Sequence, residues 1–389
     1  MTSITTTPSA GRPPTPTPPT PTPQTPTPQT LTPSAATPFV RALACATLLA
    51  SPALSHAGEV EPVTTCGQTV ADGALIADLD CSAWSGSPAV TVTRSLDLAG
   101  FTLTGNATEE SGVVFCPKRC TVVGAGTITG GHTGIDAAGQ RLTVVEVSVT
   151  ANASHGVVAK ALRARGLVAS GQTGGHGALV TRKADVTGGG FSNNAMAGLH
   201  SDRKAVVRDA SATDNGGDGL SASWRLRGEG LVLTGNGGRG ARGGQSARLE
   251  RVTITGNASH GVRGTGSARV TDGLIADNGA RGLSSLRRIR LDSVEVLRNG
   301  NGGLFVSTGG GARIEAKNTT IADNGNYGML ADEIELRSTT VTGNCPVPGA
   351  ISCCADIVAS RRPVLIDTDC GTTLVLPGCV ENWGLCAAD

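Results

Sequence analysis

The sequence predicts an all-β chain wound as a parallel β-solenoid. Asparagines recur every 21 residues, at Asn194, Asn215, Asn236, Asn257, Asn278 and Asn299. Between them apolar and polar residues alternate with period two, the mark of strands with one buried face. The 389 residues include 55 glycines but only three Trp, one Tyr and five Phe. Rings normally dominate core burial, so this core must be thin and built from Val, Leu, Ile and Ala. At 39% hydrophobic and 16% charged residues, the chain is not disordered throughout.

Residues 1–39 form a Thr/Pro-rich leader, with 12 of the 20 prolines and no acid in the first 38 positions. Such a segment cannot bury enough apolar surface to fold. Residues 40–57 read as a signal peptide. Arg41 precedes an apolar run from Ala42 to Leu54, and Ser55-His56-Ala57 offers a small-x-small cleavage site. The run is too short to span a bilayer. Either the leader is genuine, or translation starts near Val40 through an alternative codon.

Residues 58–120 are expected to hold the N-terminal cap and first coils, and residues 345–389 a Cys-rich C-terminal cap. Ten cysteines follow the signal segment, none of them between Thr121 and Asn344. An even number in an exported chain reads as disulfides. We expect Cys66–Cys81 and Cys116–Cys120. A metal reading of the second pair lacks another Cys/His pair at zinc spacing. The six C-terminal cysteines allow 15 connectivities.

Residues 121–344 carry the regular repeat. Asn152, Gln172, Asn324 and Asn344 extend the asparagine series, and Gly follows four residues after most anchors, as at Gly219, Gly240 and Gly261. In the repeat anchored on Asn257, Ala247, Leu249, Val252 and Ile254 alternate with Arg248, Glu250, Thr253 and Thr255. Two clear strands and a third short one, in so few residues, cannot form a meander. They form one coil that stacks on the previous coil. About 11–13 coils of ~21 residues, each rising ~4.8 Å, would make a rod ~50–60 Å long. Stacked asparagines would hydrogen-bond up the axis. The simpler alternative is an Asn favoured only by its turn.

With Cys66-Gly67-Gln68-Thr69, Asp78-Leu79-Asp80-Cys81, the run Leu96 to Gly105, and Trp383-Gly384-Leu385-Cys386, the chain resembles the right-handed parallel β-helix superfamily with pectate-lyase-like repeats. The resemblance spans residues 60–389 and implies a right-handed helix with disulfide-containing caps. The superfamily includes polysaccharide lyases, glycosidases, uronate epimerases and non-catalytic surface proteins. Fold does not choose among them.

The most distinctive surface pattern is basic. Arg227, Arg248, Arg269 and Arg290 stand 21 apart, with Arg163 in the same position earlier. Two residues upstream lie Arg141, Lys183, Lys204, Arg225, Arg288 and Arg313. Both columns alternate with inward positions, so both are expected to face solvent. Arg227, Arg248, Arg269, Arg290, Arg225 and Arg288 are therefore candidates for binding an acidic polysaccharide. The competing reading is a solvated face in which Glu229, Glu250 and Asp292 pair with these arginines.

Other site signals are weaker. His155, His176 and His260 each precede a turn glycine. Gly175-His176-Gly177 matches one polygalacturonase motif, but the chain has no Asp-Asp pair to complete that set. Asp214, Asp277 and Asp323 read as turn residues rather than calcium ligands. Trp224, Phe191, Phe305 and Tyr327 form no aromatic column. With 32 Lys+Arg against 31 Asp+Glu, nothing points to nucleic acid. No catalytic residue, metal or cofactor is assigned. The expectation is a secreted, periplasmic or cell-surface β-helix that binds acidic polysaccharide. The alternative is a lyase, hydrolase or epimerase of the same fold.

Overall fold

The computed structural model describes residues 60–108, 110, 112–345, 354–376, 378–379 and 381–387. The leader, the signal segment and Cys353 lie outside the described residues. Every regular element among the described residues is a β-strand, and every pairing of those strands is parallel. No helix here is long and apolar enough to cross a membrane.

One coil shows how the sequence winds. Ala241–Gly243 lies in a first sheet. The chain turns at Gly244 and Gln245 into Ser246–Thr255, which bends at Arg251. Its first half joins a second sheet and its second half a third. Val262–Gly264 then opens the next coil. Ala241 lies beside Val262, Leu249 beside Val270 and Ile254 beside Ile275, so each aliphatic side chain stacks on its counterpart. All six are buried. About 13 such turns make a parallel β-helix, roughly 60 Å long at ~4.8 Å per turn. Small aliphatic columns fill its narrow interior, which explains the scarcity of rings. Phe191 is the largest side chain fully buried in it.

Two corners of each regular coil require a left-handed residue. At the bend between the second and third sheets stand Asp209, Gly230, Arg251, Asp272 and Ser293, with φ of 49, 61, 50, 50 and 57°. Just before the anchors stand Asn193, Asp214, Gly235, Gly256, Asp277 and Arg298, with φ of 54, 55, 66, 66, 56 and 50°. Gly adopts this conformation without steric penalty, and Asp tolerates it better than most residues. The Asp-Asn and Gly-Asn dipeptides thus encode a corner.

Each anchor side chain points inward and joins its neighbours. Asn194 donates from Nδ2 to Asn215 Oδ1 at 2.8 Å, Asn215 to Asn236 at 2.9 Å, and Asn236 to Asn257 at 2.8 Å. Asn257 continues to Asn278, and Asn278 to Asn299, both at 2.9 Å. The column ends where Asn344 donates to Asp356 Oδ1 at 2.7 Å. Cys66 bonds Cys81 and Cys116 bonds Cys120 in the first coils. Near the other end Cys345 bonds Cys354 and Cys370 bonds Cys386.

Candidate functional site

The second sheet presents three outward positions per coil. Its central column brings Arg227, Arg248, Arg269 and Arg290 onto four successive turns as direct lateral partners. All four are exposed. Neighbouring unit charges ~5 Å apart repel by about 1 kcal/mol even at the dielectric of water. The column is therefore a line of unrelieved positive potential unless acids intervene.

At one end acids do intervene. The next two partners in the column are Glu315 and Glu335. Arg290 Nε reaches Glu315 at 2.6 Å and Arg313 Nε reaches it at 2.8 Å, while Arg288 also donates to it. Burial alone would raise the Glu315 pKa, but its bonds to Arg288 and Arg290 hold it below the ordinary value. Glu335 pairs with Arg313 and with Arg337. Arg288 and Arg290 thus share one carboxylate, which offsets part of their charge. A shallow depression of about 410 Å³ between Arg269 and Arg337 belongs to this mixed-charge end.

Arg227, Arg248 and Arg269 make no ion pair among the described residues. This corrects the expectation that Glu229, Glu250 and Asp292 would pair with the arginine column. Arg251, at the left-handed bend, instead takes both Glu229 and Glu250, the latter at 3.3 Å. Asp292 accepts from Ser293 and Asn318. One arginine in an uncommon backbone conformation diverts the acids and leaves the three central guanidiniums free.

The neighbouring column runs Lys183, Lys204, Arg225, Ser246, Ser267, Arg288 and Arg313. Two serines therefore separate Arg225 from Arg288. Arg225 donates from Nε to Gln245 Oε1 at 3.1 Å. Its guanidinium lies 4.5 Å from the Trp224 ring centroid, and Lys204 Nζ lies 4.6 Å from it. Such contacts hold long cationic side chains in place.

Sequence reasoning missed the corner beside this column. Lys160, Arg182, Arg203, Trp224 and Gln245 occupy one corner slot, at spacings of 22, 21, 21 and 21 residues. The first four meet the second sheet in a depression of about 630 Å³. Arg119, Arg141, Lys160, Arg182, Lys183, Arg203 and Lys204 line it, with Trp224 at one end and no carboxylate. Of these cations only Lys183 forms an ion pair, with Asp185 at 3.0 Å. The slot keeps the period of the repeat, but its change from cations to Trp224 and Gln245 masks it in the sequence. Cationic stripe and arginine column together cross the second sheet obliquely, from the corner in the early coils to the centre in the later ones.

The histidines fall elsewhere. His155 stacks on His176 with ring centroids 5.4 Å apart, and His176 on His200 at 5.3 Å. His155 Nδ1 accepts from the His176 amide at 3.0 Å, and His176 Nδ1 from the Ala197 amide at 3.1 Å. Burial first, then His200 and His155, push the His176 pKa down to about 4. Asp214, Asp277 and Asp323 sit at left-handed corners. Among the described residues, no group of three or more His, Cys, Asp or Glu could hold a metal ion.

No protein-family profile and no curated protein matches the chain. Among solved structures it is similar to the periplasmic alginate epimerase AlgG, with 12% identity and a TM-score of 0.42 over 77% of this chain and 84% of that one. It is similar to the A-module of Azotobacter vinelandii mannuronan C-5 epimerase AlgE6, with 14% identity and a TM-score of 0.36 over 79% and 87%. A further likeness is to pectate lyase Pel9A, with 13% identity and a TM-score of 0.37 over 80% of each chain. The site reading rests on this chain's own residues.

Proposed function

We propose that this protein is an exported β-helix that binds an acidic polysaccharide along the second sheet and its corner. The observation that carries this reading is the depression lined by seven cations and no carboxylate. It continues toward Arg227, Arg248 and Arg269, which have no acidic partner. Stacking repeats one cationic slot every ~4.8 Å, a geometry suited to a linear polymer with recurring negative groups. Arg offers a planar fork to each carboxylate, and Lys a point charge. Nucleic acid fits less well, because single-stranded sites add rows of stacking aromatics and only Trp224 is present here. The disulfides at both ends agree with an oxidising compartment outside the cytosol.

The test is retention of the mature chain on immobilised polygalacturonate, alginate and a glycosaminoglycan over a salt gradient. Saturable binding that weakens with salt is expected on at least one. It should weaken at least tenfold in the triple variant Arg182→Ala/Arg203→Ala/Arg248→Ala. Equal retention of variant and wild type would defeat the proposal. The same incubations, followed for unsaturated uronate absorbance, new reducing ends and change of uronate configuration, test the catalytic alternative.

A further inference from the structure

A second basic cluster lies on the first sheet, away from the depression. Arg242 and Arg263 are lateral partners on the outward side of successive strands. Beside them, in the turn that precedes those strands, Asp218, Arg239, His260 and Arg281 stack coil upon coil through backbone hydrogen bonds. Four arginines thus meet within three coils.

Their charge is poorly balanced. The single carboxylate is Asp218, 3.5 Å from Arg239, with side chains only 13% and 24% exposed. Arg239 Nε is buried and has no hydrogen-bond partner. A buried donor without an acceptor is unfavourable. Arg281 is held by neutral groups. Its Nε donates to the Tyr327 hydroxyl at 2.6 Å, and its guanidinium lies 4.1 Å over the Phe305 ring. Arg242 and Arg263 make no ion pair. Burial, then Arg239, Arg242 and Arg281, lower the Arg263 pKa, so its neighbours oppose its charge.

His260 completes the arrangement. Its Nδ1 accepts the Arg281 backbone N–H at 3.2 Å. In the neutral ring the proton therefore sits on Nε2, which is left as a donor. Burial, then the charges of Arg281, Arg239 and Arg263, hold its pKa down to about 4, so the ring is neutral at physiological pH.

We propose that Arg239, Arg242, Arg263 and His260 form a binding site for one compact oxyanion, a carboxylate or a sulfate group. The ligand would sit between the exposed forks of Arg242 and Arg263, beside the Arg239 guanidinium and the Nε2 donor of His260. This site does not depend on the cationic depression and uses none of its residues.

The test titrates the full mature chain with sodium glucuronate and, separately, with sodium sulfate, by calorimetry at low chloride. Saturable one-to-one binding of at least one probe is expected, and the probe that binds identifies the class. Arg242→Ala/Arg263→Ala should weaken it at least tenfold. Arg242→Lys/Arg263→Lys keeps the charge, loses the forks, and should weaken it several-fold. Arg94→Ala, exposed in the first coils and outside both sites, should leave it unchanged. The substituted residues are exposed, and circular dichroism checks that each variant keeps its fold. Absence of saturable binding of both probes, or equal binding by the Arg242→Ala/Arg263→Ala variant, would overturn the proposal.

Discussion

Replacing Asn257 by Ala is expected to destabilise the helix far more than loss of a turn-favoured residue would. Asn257 Oδ1 accepts from the Asn236 backbone N–H at 3.1 Å and from Asn236 Nδ2 at 2.8 Å. Its own Nδ2 donates to Leu233 O at 3.1 Å and to Asn278 Oδ1 at 2.9 Å. The side chain is buried, and Ala creates a space too small for ordered water to replace every bond. The Asn236 N–H loses its acceptor, and one Nδ2 hydrogen of Asn236 loses a partner. At ~1–3 kcal/mol per buried unsatisfied group, the loss is ~2–6 kcal/mol. A lost turn preference would amount to well under that. Urea denaturation gives the global effect, and amide exchange at Asn236 the local one. Asn257→Gln should recover part of the loss, because Gln172 already occupies a ladder position and accepts from Asn152 Nδ2 at 3.1 Å. Stability of Asn257→Ala within ~0.5 kcal/mol of wild type, a typical surface-substitution value, would show that the stacked amides hold nothing together.

Two pH effects follow from groups outside the binding face. Burial is the first cause that lowers the pKa of His155, His176 and His260, the latter two to about 4, from an ordinary 6.5. The unfolded chain therefore takes up protons first, so their contribution is complete above 6.5 and declines as pH falls toward about 4. The urea midpoint should drop between about pH 7.5 and about pH 5, and less so in His176→Gln; a flat midpoint would contradict the assignment. Asp332 accepts amides from Gly309, Gly310, Gly311 and Ala312 at 3.0–3.2 Å, and the Ser360 hydroxyl at 3.0 Å. Burial would raise its pKa, but these donors hold it below the ordinary 3.8. Its contribution is thus present above 3.8 and lost as pH falls through the lower folded value. Asp332→Asn should speed amide exchange at Gly310 and Gly311 at neutral pH, and unchanged exchange would remove the carboxylate from that role.

The axis of the fold was legible because one chemical requirement recurs at one slot. A buried corner needs an amide side chain, Asn or, once, Gln172, so that slot keeps its period, whereas the left-handed residue before it is mostly Gly or Asp but is also Ala151, Asn193 and Arg298. The arginine column was legible for the same reason. The cationic corner was not, since Lys160, Arg182 and Arg203 give way to Trp224 and Gln245. A solvent-facing slot demands only compatibility with water, and mixed chemistry hides its period. The first-sheet cluster was hidden differently. Arg239 and Arg242 are three residues apart in sequence, and only the winding brings Arg263 and Arg281 beside them. Ion pairing was the least legible feature. Glu229 and Glu250 sit two residues from Arg227 and Arg248 on one face, so alternation alone pairs them. That Arg251 would capture both depends on its bend conformation, φ 50°, which hydropathy does not encode.

Arg251 therefore offers a test of the binding face that leaves every proposed contact in place. Gly at this position keeps the left-handed bend, as Gly230 does one coil earlier with φ 61°, and removes the guanidinium that holds Glu229 and Glu250. The Arg251 pKa is raised above its ordinary value by its hydrogen bond to Glu229 and then by that residue's charge, so both acids lose a real partner. They would then turn to Arg227 and Arg248, two residues back on the same strands. Exposed pairs of this kind contribute ~0.2–1 kcal/mol each, so two of them should lower polyuronate affinity about two- to thirtyfold. Free carboxylates beside the track would also repel the polymer, which adds to the loss and steepens its dependence on salt. Folding should change little, because an uncommon backbone conformation is relieved as an exposed ion pair is lost. Fluorescence-detected retention on the polymer that binds wild type measures the affinity. If Arg251→Gly binds as tightly as wild type, then either the acids do not reach the column or the column does not touch the polymer. Where Arg251→Gly binds more weakly, crossing it with Glu229→Gln/Glu250→Gln identifies the cause. The triple variant should bind at least as tightly as wild type if the acids were the cause. It should match Arg251→Gly alone if the lost contact was that of Arg251 itself.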